Sequence, residues 1–445
     1  MNKRMIYGVV LTALGLNLIL GALTYARAAE SGEKEDVYKS LELFTRVLER
    51  VRQDYVDGEK LTYQDLIYGA LKGMLNSLDP HSEFMEPVKY TDLKNETEGF
   101  FGGVGIVVGL RNDQLTVIAP MEDTPAFKAG IMAGDRITRI EGKSTEKVGT
   151  TEAVKRLRGE PGTDVTITVF HPANSTSRDV KLTRAQIKVD TVKDINGKRE
   201  FPLAENKIGY IRLGQFGEHT TSELDEALKK LQGQGMQGLV FDLRDNPGGL
   251  LDQAARICDR FLPAKTMVVS TEGRDPAERR EYRATGKAPY TKLPMVLLVN
   301  GGSASASEIV AGCFQDLKRA IVVGEQTFGK GSVQSIIPLP DGAALRLTTA
   351  KYYTPSHRVI HEKGITPDIV IPMTTEEYEA LYMKRSPGGL EAIEGERGEK
   401  LRALHDTQLE RALDLLRGIT LFSKDYNARE SKVSKVAANA TPESN

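Results

Sequence analysis

The sequence predicts a multidomain α/β protein: an α/β core on a parallel or mixed sheet, a β-rich unit inserted ahead of it, and a helical region before that. Three observations carry this. From about Ile208, apolar strand-like runs alternate with helical patterns; between about Gly99 and Arg184, short β-branched runs are separated by glycine turns; and 445 residues exceed one hydrophobic core. The divisions that follow are 1–28, 33–96, 97–186, 187–375, 376–422 and 423–445.

The first division opens with Asn2-Lys3-Arg4, runs apolar from Met5 to Thr24 with an interruption at Asn17, and ends in Ala26-Arg27-Ala28, the small-x-small form of a signal cleavage site. Export is the expectation. Cleavage before Ala29 and retention as a membrane anchor both stay open, because the run is just long enough to span a bilayer. Basic residues before it and Glu30, Glu33, Glu35 and Asp36 after it put the bulk of the chain outside the cytoplasm, in a bacterial periplasm or on the outer face of the inner membrane. With Asp36 as N-cap, Val37, Leu41, Phe44, Val47, Leu48, Val51 and Tyr55 recur at helical spacing, a stripe read as a packing face within the chain. A second helix is expected from about Thr62 to Leu78.

The β-rich division holds strands Gly105–Val108, Leu115–Ile118, Arg136–Ile140 and Val165–Phe170, with a helix Thr151–Leu157 before the last. In the core, strands Ile208–Leu213, Leu239–Leu243 and Met295–Val299 alternate with helices Ser222–Gln232 and Leu250–Phe261 and a helix after a serine cluster; Ala343–Leu347 and Ala350–Tyr353 are expected to extend that sheet. Such folds place their chemistry at strand ends. In the last two divisions, Gln408–Leu416 reads as an amphipathic helix with Leu409, Ala412, Leu413 and Leu416 on one face, and Ser423–Asn445 as a polar, aromatic-poor, disordered tail.

A net charge of −1 without a basic block gives no reason to invoke nucleic acid. Cys258 and Cys313 lie on apolar helical stretches, so buried free thiols are as open as a disulfide. The chemistry points to Gly301-Gly302-Ser303-Ala304-Ser305-Ala306-Ser307-Glu308, small residues on a tight strand-to-helix turn that lifts a hydroxyl out of the core and aims the first N–H groups of a helix at an anionic oxygen. A serine needs a base, and the six histidines are poor candidates: His81, His171 and His219 lie in turn or loop sequence, His405 on a charged helix, and His357 and His361 in a loop between Pro355 and Gly364. Lys330, between Gly329 and Gly331 and flanked by Ile321–Val323 and Ile336–Ile337, sits where desolvation favours the neutral amine. Gln334 is placed to hold that amine without adding charge. Residue type alone does not choose among Ser303, Ser305 and Ser307, since serines also cap turns and helix starts.

The segments Ser303–Glu308, Gly329-Lys330-Gly331-Ser332-Val333-Gln334, Asp242-Leu243-Arg244-Asp245-Asn246-Pro247-Gly248-Gly249 and Thr348-Thr349-Ala350-Lys351-Tyr352-Tyr353-Thr354-Pro355 resemble, in order, those of the carboxy-terminal processing proteases, Ser/Lys-dyad serine proteases with an embedded PDZ domain. Leu78-Asp79-Pro80-His81-Ser82 is a further such phrase, and the resemblance runs from about residue 40 to 373. It implies Ser305 as nucleophile, Lys330 as base, Gln334 as support, and oxyanion donors on the backbone N–H of Ala306 and of one of Gly248 and Gly249. Pro125–Ile131 and Ala133–Ile137 resemble bacterial PDZ sequences, so Gly103, Val104, Gly105 and Ile106 would form the loop that nests a chain-terminal carboxylate.

The resemblance thus implies an exported endopeptidase that binds protein or peptide C-termini and cuts near them, with no metal or cofactor. It also offers a homodimer joined by the N-terminal helices and a PDZ domain that gates the cleft. Two other classes compete. One is a PDZ adaptor whose protease domain is inactive. The other is a nucleotide-binding protein, because Gly324–Lys330 nearly spells a phosphate loop, but Gly331 lacks the metal-holding hydroxyl and strand formers follow.

Overall fold

Gly238–Asp242 and Met295–Val299 are buried at every position. A strand with one face in water alternates apolar and polar residues, so an unbroken apolar run requires cover on both faces. In the computed structural model, which describes residues 37–111, 114–121, 124–132, 134–172, 175–286, 289–385 and 395–438, these strands lie at the centre of a six-stranded sheet. Its order is Val192–Lys193, Ile208–Leu213, Gly238–Asp242, Met295–Val299, Ile321–Gly324, Ile369–Val370, parallel throughout except for the antiparallel first strand.

The two-residue period of the strands divides the core. Leu239, Phe241, Leu297 and Val299 pack with Leu224 and Leu228 of helix Thr220–Gly233, Ile257 of Leu251–Asp259, and Ile309 and Phe314 of Ala306–Asp316. Val240, Val296 and Leu298 turn the other way, onto Leu409, Ala412 and Leu416. The C-terminal amphipathic stripe is therefore the second layer of the core. Its helix, Thr407–Ala438, continues through much of the stretch expected to be disordered, of which 439–445 lie outside the described residues. The alanines, lysines and arginine there are compatible with helix although the sequence offers little apolar surface to bury.

Ala344–Tyr353 is one strand and does not extend that sheet, which corrects the sequence expectation. It pairs antiparallel with Ser332–Pro338 and with Met267–Gly273, which in turn pairs with Arg280–Arg283. The turn Leu339-Pro340-Asp341-Gly342, with Gly342 at φ 85°, folds Ser332–Pro338 back on it as a hairpin, and the edge beside Ile321–Gly324 is taken by Ile369–Val370.

The β-rich insertion is an antiparallel sheet in the order Ile106–Arg111, Gln114–Pro120, Arg136–Ile140, Asp164–His171, Thr176–Thr183. Helix Thr150–Leu157 closes a separate small core of Leu115, Val117, Ile137, Ile140, Ala153, Leu157, Val165 and Ile167. Its ends are clasped by Phe100–Gly103 paired with Ala185–Lys188. The mostly exposed strand Thr176–Thr183 has no apolar alternation, so pattern alone does not find it.

The chain divides into two compact units after Phe84. In the first, residues 37–54 are helical and Tyr63–Asn76 is a helix begun by a capping box, with Thr62 N–H donating 3.0 Å to Asp65 Oδ2 and Asp65 N–H donating 3.0 Å to Thr62 Oγ1. Val37, Leu41, Phe44 and Val47 are exposed, so among the described residues the expected packing face is left uncovered. Asp36 and the apolar segment from Met5 to Thr24 lie outside the described residues. Cys258 and Cys313 are buried free thiols.

Leu416 is fully buried against the sheet. Leu416→Ala should cost about 2–5 kcal/mol, read as a lower melting temperature by calorimetry, while Leu421→Ala, on an exposed position of the same helix, should leave it nearly unchanged.

Candidate active site

Strand Met295–Val299 ends at Asn300, and helix Ala306–Asp316 starts six residues later; what lies between must reverse the chain within a few residues. Ser305 takes the strain at φ 53° and ψ −112°, a conformation rare for a residue with a Cβ. The serines on either side hold the turn. Ser303 Oγ donates 2.8 Å to Leu243 O and accepts from Asn300 N–H at 3.0 Å, and Ser307 Oγ donates 2.9 Å to Asn246 O. Both are fully buried. Among the described residues no carbonyl takes the Ser305 hydroxyl, which lies beside the phenol of Tyr352.

Glu308, in the first turn of the helix and fully buried, receives four donors on one carboxylate. Oε2 accepts the backbone N–H of Ser305 at 2.8 Å and of Lys330 at 2.9 Å; Oε1 accepts the N–H of Gly329 at 2.7 Å and the Thr327 hydroxyl at 2.6 Å. The helix N-terminus adds its own favourable field. Phe328 N–H donates to Ser303 O at 3.1 Å, so the segment 327–330 is fastened along the serine turn.

Lys330 is half-buried. Burial, with the charge of Arg346 added, pushes its amine below the usual lysine range, and Glu308 opposes the shift. Its backbone is gripped on both sides. A Cβ on Gly331 would stand 2.1 Å from His361 N, and Gly331 O accepts Tyr352 N–H at 2.8 Å. Ile336 and Ile337, expected to help bury Lys330, are exposed on the hairpin. The residues after Gly331 enter strand Ser332–Pro338, so no helix presents its N-terminus to a phosphate there.

Gln334 Nε2 donates to Ser332 Oγ at 3.1 Å and Thr348 Oγ1 at 2.8 Å, while its Oε1 is buried and unpartnered among the described residues. The expected bond from the Lys330 amine to this side chain is not formed here. Four of the histidines pair elsewhere: His171 with Asp135, His219 with the Phe100 ring, His357 with Glu272 and His405 with Glu410. Tyr352, quoted in the sequence only for its motif, is the unforeseen member; burial pushes its phenol up to about 12, against a lowering by the Ser305 hydroxyl.

The loop after Gly238–Asp242 leaves the sheet beside the serine turn, because Asp242 and Leu298 are register partners. Asn246 O accepts Ala304 N–H at 3.0 Å. Gly248, at φ 101°, comes so close that a Cβ would stand 2.7 Å from Ala304 O, 2.8 Å from Ser305 Cβ and 3.0 Å from Ala306 N. Its own N–H donates 2.9 Å to Asn246 Oδ1. Gly249, at φ 144°, lies against Phe216 O. Ala306 N, first of the helix, lies at this same approach.

In the β-rich insertion, Gly103 and Val104 are buried, Val104 O accepts Ala126 N–H at 3.0 Å, and Gly105 at φ 75° packs where a Cβ would meet Thr124. Ile106 begins the next strand. The Arg158 guanidinium sits 4.9 Å from the centre of the Phe101 ring, at the clasp between insertion and core.

Residues 207–371 match Peptidase family S41, and residues 102–183 match the PDZ domain. The chain is 44% identical to a carboxy-terminal-processing protease of Bartonella bacilliformis over 84% of both chains. It is 42% identical to a carboxyl-terminal-processing protease of Picosynechococcus, covering 72% of this chain and 77% of the relative. With the carboxy-terminal processing protease CtpB of Bacillus subtilis it shares 32% identity over 82% of this chain and 75% of the relative.

Glu308→Gln replaces one acceptor oxygen by a donor facing N–H groups, leaving buried donors unsatisfied at about 1–3 kcal/mol each. We expect a lower melting temperature and at least about a tenfold loss of kcat with KM little changed. Steady-state kinetics on the folded variant checks this; wild-type kcat would show that the shared carboxylate is dispensable.

Proposed function

This chain belongs to the carboxy-terminal processing proteases, and on that footing we propose that Ser305 and Lys330 form its catalytic dyad. The protein is a serine protease with a PDZ domain, acting on protein and peptide substrates. Neutral Lys330 takes the Ser305 proton as the oxygen attacks the scissile carbonyl. Ala306 N–H and an N–H of the Gly248–Gly249 pair receive the oxyanion, Lys330 passes its proton to the leaving amine, and the acyl-enzyme is hydrolysed by water that the neutral amine activates. Gln334 Oε1 accepts from the lysine while it is charged. Gly103, Val104, Gly105 and Ile106 take the substrate's terminal carboxylate.

One observation carries this reading: of three serines on the turn, the hydroxyls of Ser303 and Ser307 are spent on backbone carbonyls and that of Ser305 is not, while its N–H shares a carboxylate with Lys330. A serine-reactive acylating probe should label the wild type and not Ser305→Ala, which should have no turnover. Ser303→Ala and Ser307→Ala should stay measurably active but less stable, each losing a buried hydrogen bond. Labelling of Ser305→Ala equal to wild type, or none of either, would favour an adaptor.

Since the base is the neutral amine and its pKa is lowered, kcat/KM should rise with pH and level off below the range where an ordinary lysine titrates. Chelators should leave the rate unchanged; a rate that falls with pH, or is lost to a chelator, contradicts the mechanism. We also propose export, from the segment Met5–Ala28, with the PDZ domain gating the cleft until peptide binds, and a homodimer through the exposed stripe of residues 37–54. Osmotic-shock fractionation, stimulation by free C-terminal peptides, and sedimentation of Phe44→Asp against wild type test these in turn.

A further inference from the structure

Helix Thr375–Arg385 has little apolar surface to hold it: Ala380 and Leu381 are its buried residues, while Tyr378 and Tyr382 are exposed. What it contributes is polar. Arg385 donates 2.6 Å to Asp242 Oδ2 and 2.8 Å to Asp245 Oδ2, and the Tyr378 hydroxyl donates 2.9 Å to Asp245 Oδ1. Asp242 ends the strand, and Asp245 lies in the loop, that lead to Gly248 and Gly249.

They are not equivalent. Asp242 is fully buried and amply held without Arg385, by Arg244 at 2.7 Å and the Tyr210 hydroxyl at 2.7 Å; Arg244 in turn is anchored on Asp406 by two bonds of 2.8 Å. Asp245 is the half-buried end of the knot, and it sits at φ 60°, a left-handed conformation that a residue with a Cβ adopts at a cost. Asn300 answers its backbone and one oxygen, at 2.9 and 2.8 Å. Its other oxygen is answered by Arg385. The next residue, Asn246, takes Ala304 N–H and the Ser307 hydroxyl on its carbonyl and Gly248 N–H on its side chain. One residue therefore separates the end of the helix from the backbone that seats both the serine turn and the oxyanion loop.

We propose that Arg385, assisted by Tyr378, is a positioning residue for hydrolysis: helix Thr375–Arg385 is a polar strap that keeps Asp245 left-handed and thereby sets Asn246–Gly249 against Ser305. This rests on the Ser305 and oxyanion assignments above. A guanidinium suits the task because its planar fork reaches two carboxylates at once, whereas an ammonium is a single point charge. Losing Arg385 leaves Asp242 paired and the core intact, so its effect falls on the geometry of the loop.

The test uses the full chain with Arg385→Gln, Arg385→Lys and Tyr378→Phe, and Leu416→Ala as a variant that loosens the far face of the sheet without touching the loop. For each, kcat and KM on a peptide, the rate of Ser305 labelling by a fluorophosphonate, and the melting temperature are measured. Arg385→Gln should lower kcat and the labelling rate together by about 10- to 100-fold with KM little changed. Arg385→Lys should recover part of this and Tyr378→Phe should lose less. Leu416→Ala should lower the melting temperature further than Arg385→Gln does, with kcat near wild type. A kcat within about twofold of wild type for Arg385→Gln, or an equal loss of kcat in Leu416→Ala, overturns the strap. Wild-type labelling at a residue other than Ser305 would instead remove the site assignment on which it stands.

Discussion

The buried carboxylate of Glu308 is the constraint on which the site depends. The two residues proposed as nucleophile and base come from different layers: Ser305 ends a loop of the parallel sheet, and Lys330 precedes a strand of the antiparallel one. Nothing in chain connectivity puts them together. One carboxylate does, by accepting the backbone N–H of both residues along with Gly329 N–H and the Thr327 hydroxyl. A charge buried this deeply is tolerable only when its lone pairs are filled, so any arrangement that separates the serine turn from the lysine segment leaves it uncompensated. The electrostatic cost of that charge enforces the geometry of its ligands.

That carboxylate also tunes the chemistry it organises. It opposes the downward shift of the Lys330 amine, yet burial prevails. The four donors explain how: the negative charge is spent on backbone N–H groups and a hydroxyl, and it holds the Lys330 main chain without a direct bond to the amine. The glycines on either side serve the same end. Gly331 lets the lysine segment lie against residues 360 and 361, and Gly248 lets its own loop come within contact of Ser305.

Much of the fold was legible from pattern. The unbroken apolar runs Leu239–Phe241 and Met295–Val299 announced strands covered on both faces, and the Leu409, Ala412, Leu416 stripe was one of the covers. Strands without such a signature were not: Thr176–Thr183 is mostly exposed, and the second sheet was missed because Ala344–Tyr353 carries the same β-forming residues whichever sheet it joins. The stripe Val37, Leu41, Phe44 and Val47 shows the converse, a clear helical periodicity whose apolar side the described residues leave exposed.

At the site, composition by itself determined the kind of chemistry: small residues and serines at a strand-to-helix turn, a lysine between glycines, and a lack of well-placed histidines can be read along one dimension. Which serine is spare could be decided only by tertiary structure, because Ser303 and Ser307 give their hydroxyls to the carbonyls of Leu243 and Asn246 that they meet across the fold. The same holds for Tyr352 beside Ser305 and for Arg385 on Asp245, contacts between residues far apart in the chain. Local preference and periodicity are properties of neighbours in sequence; a hydrogen bond's partner is a property of neighbours in space, and burial then makes the choice of partner binding.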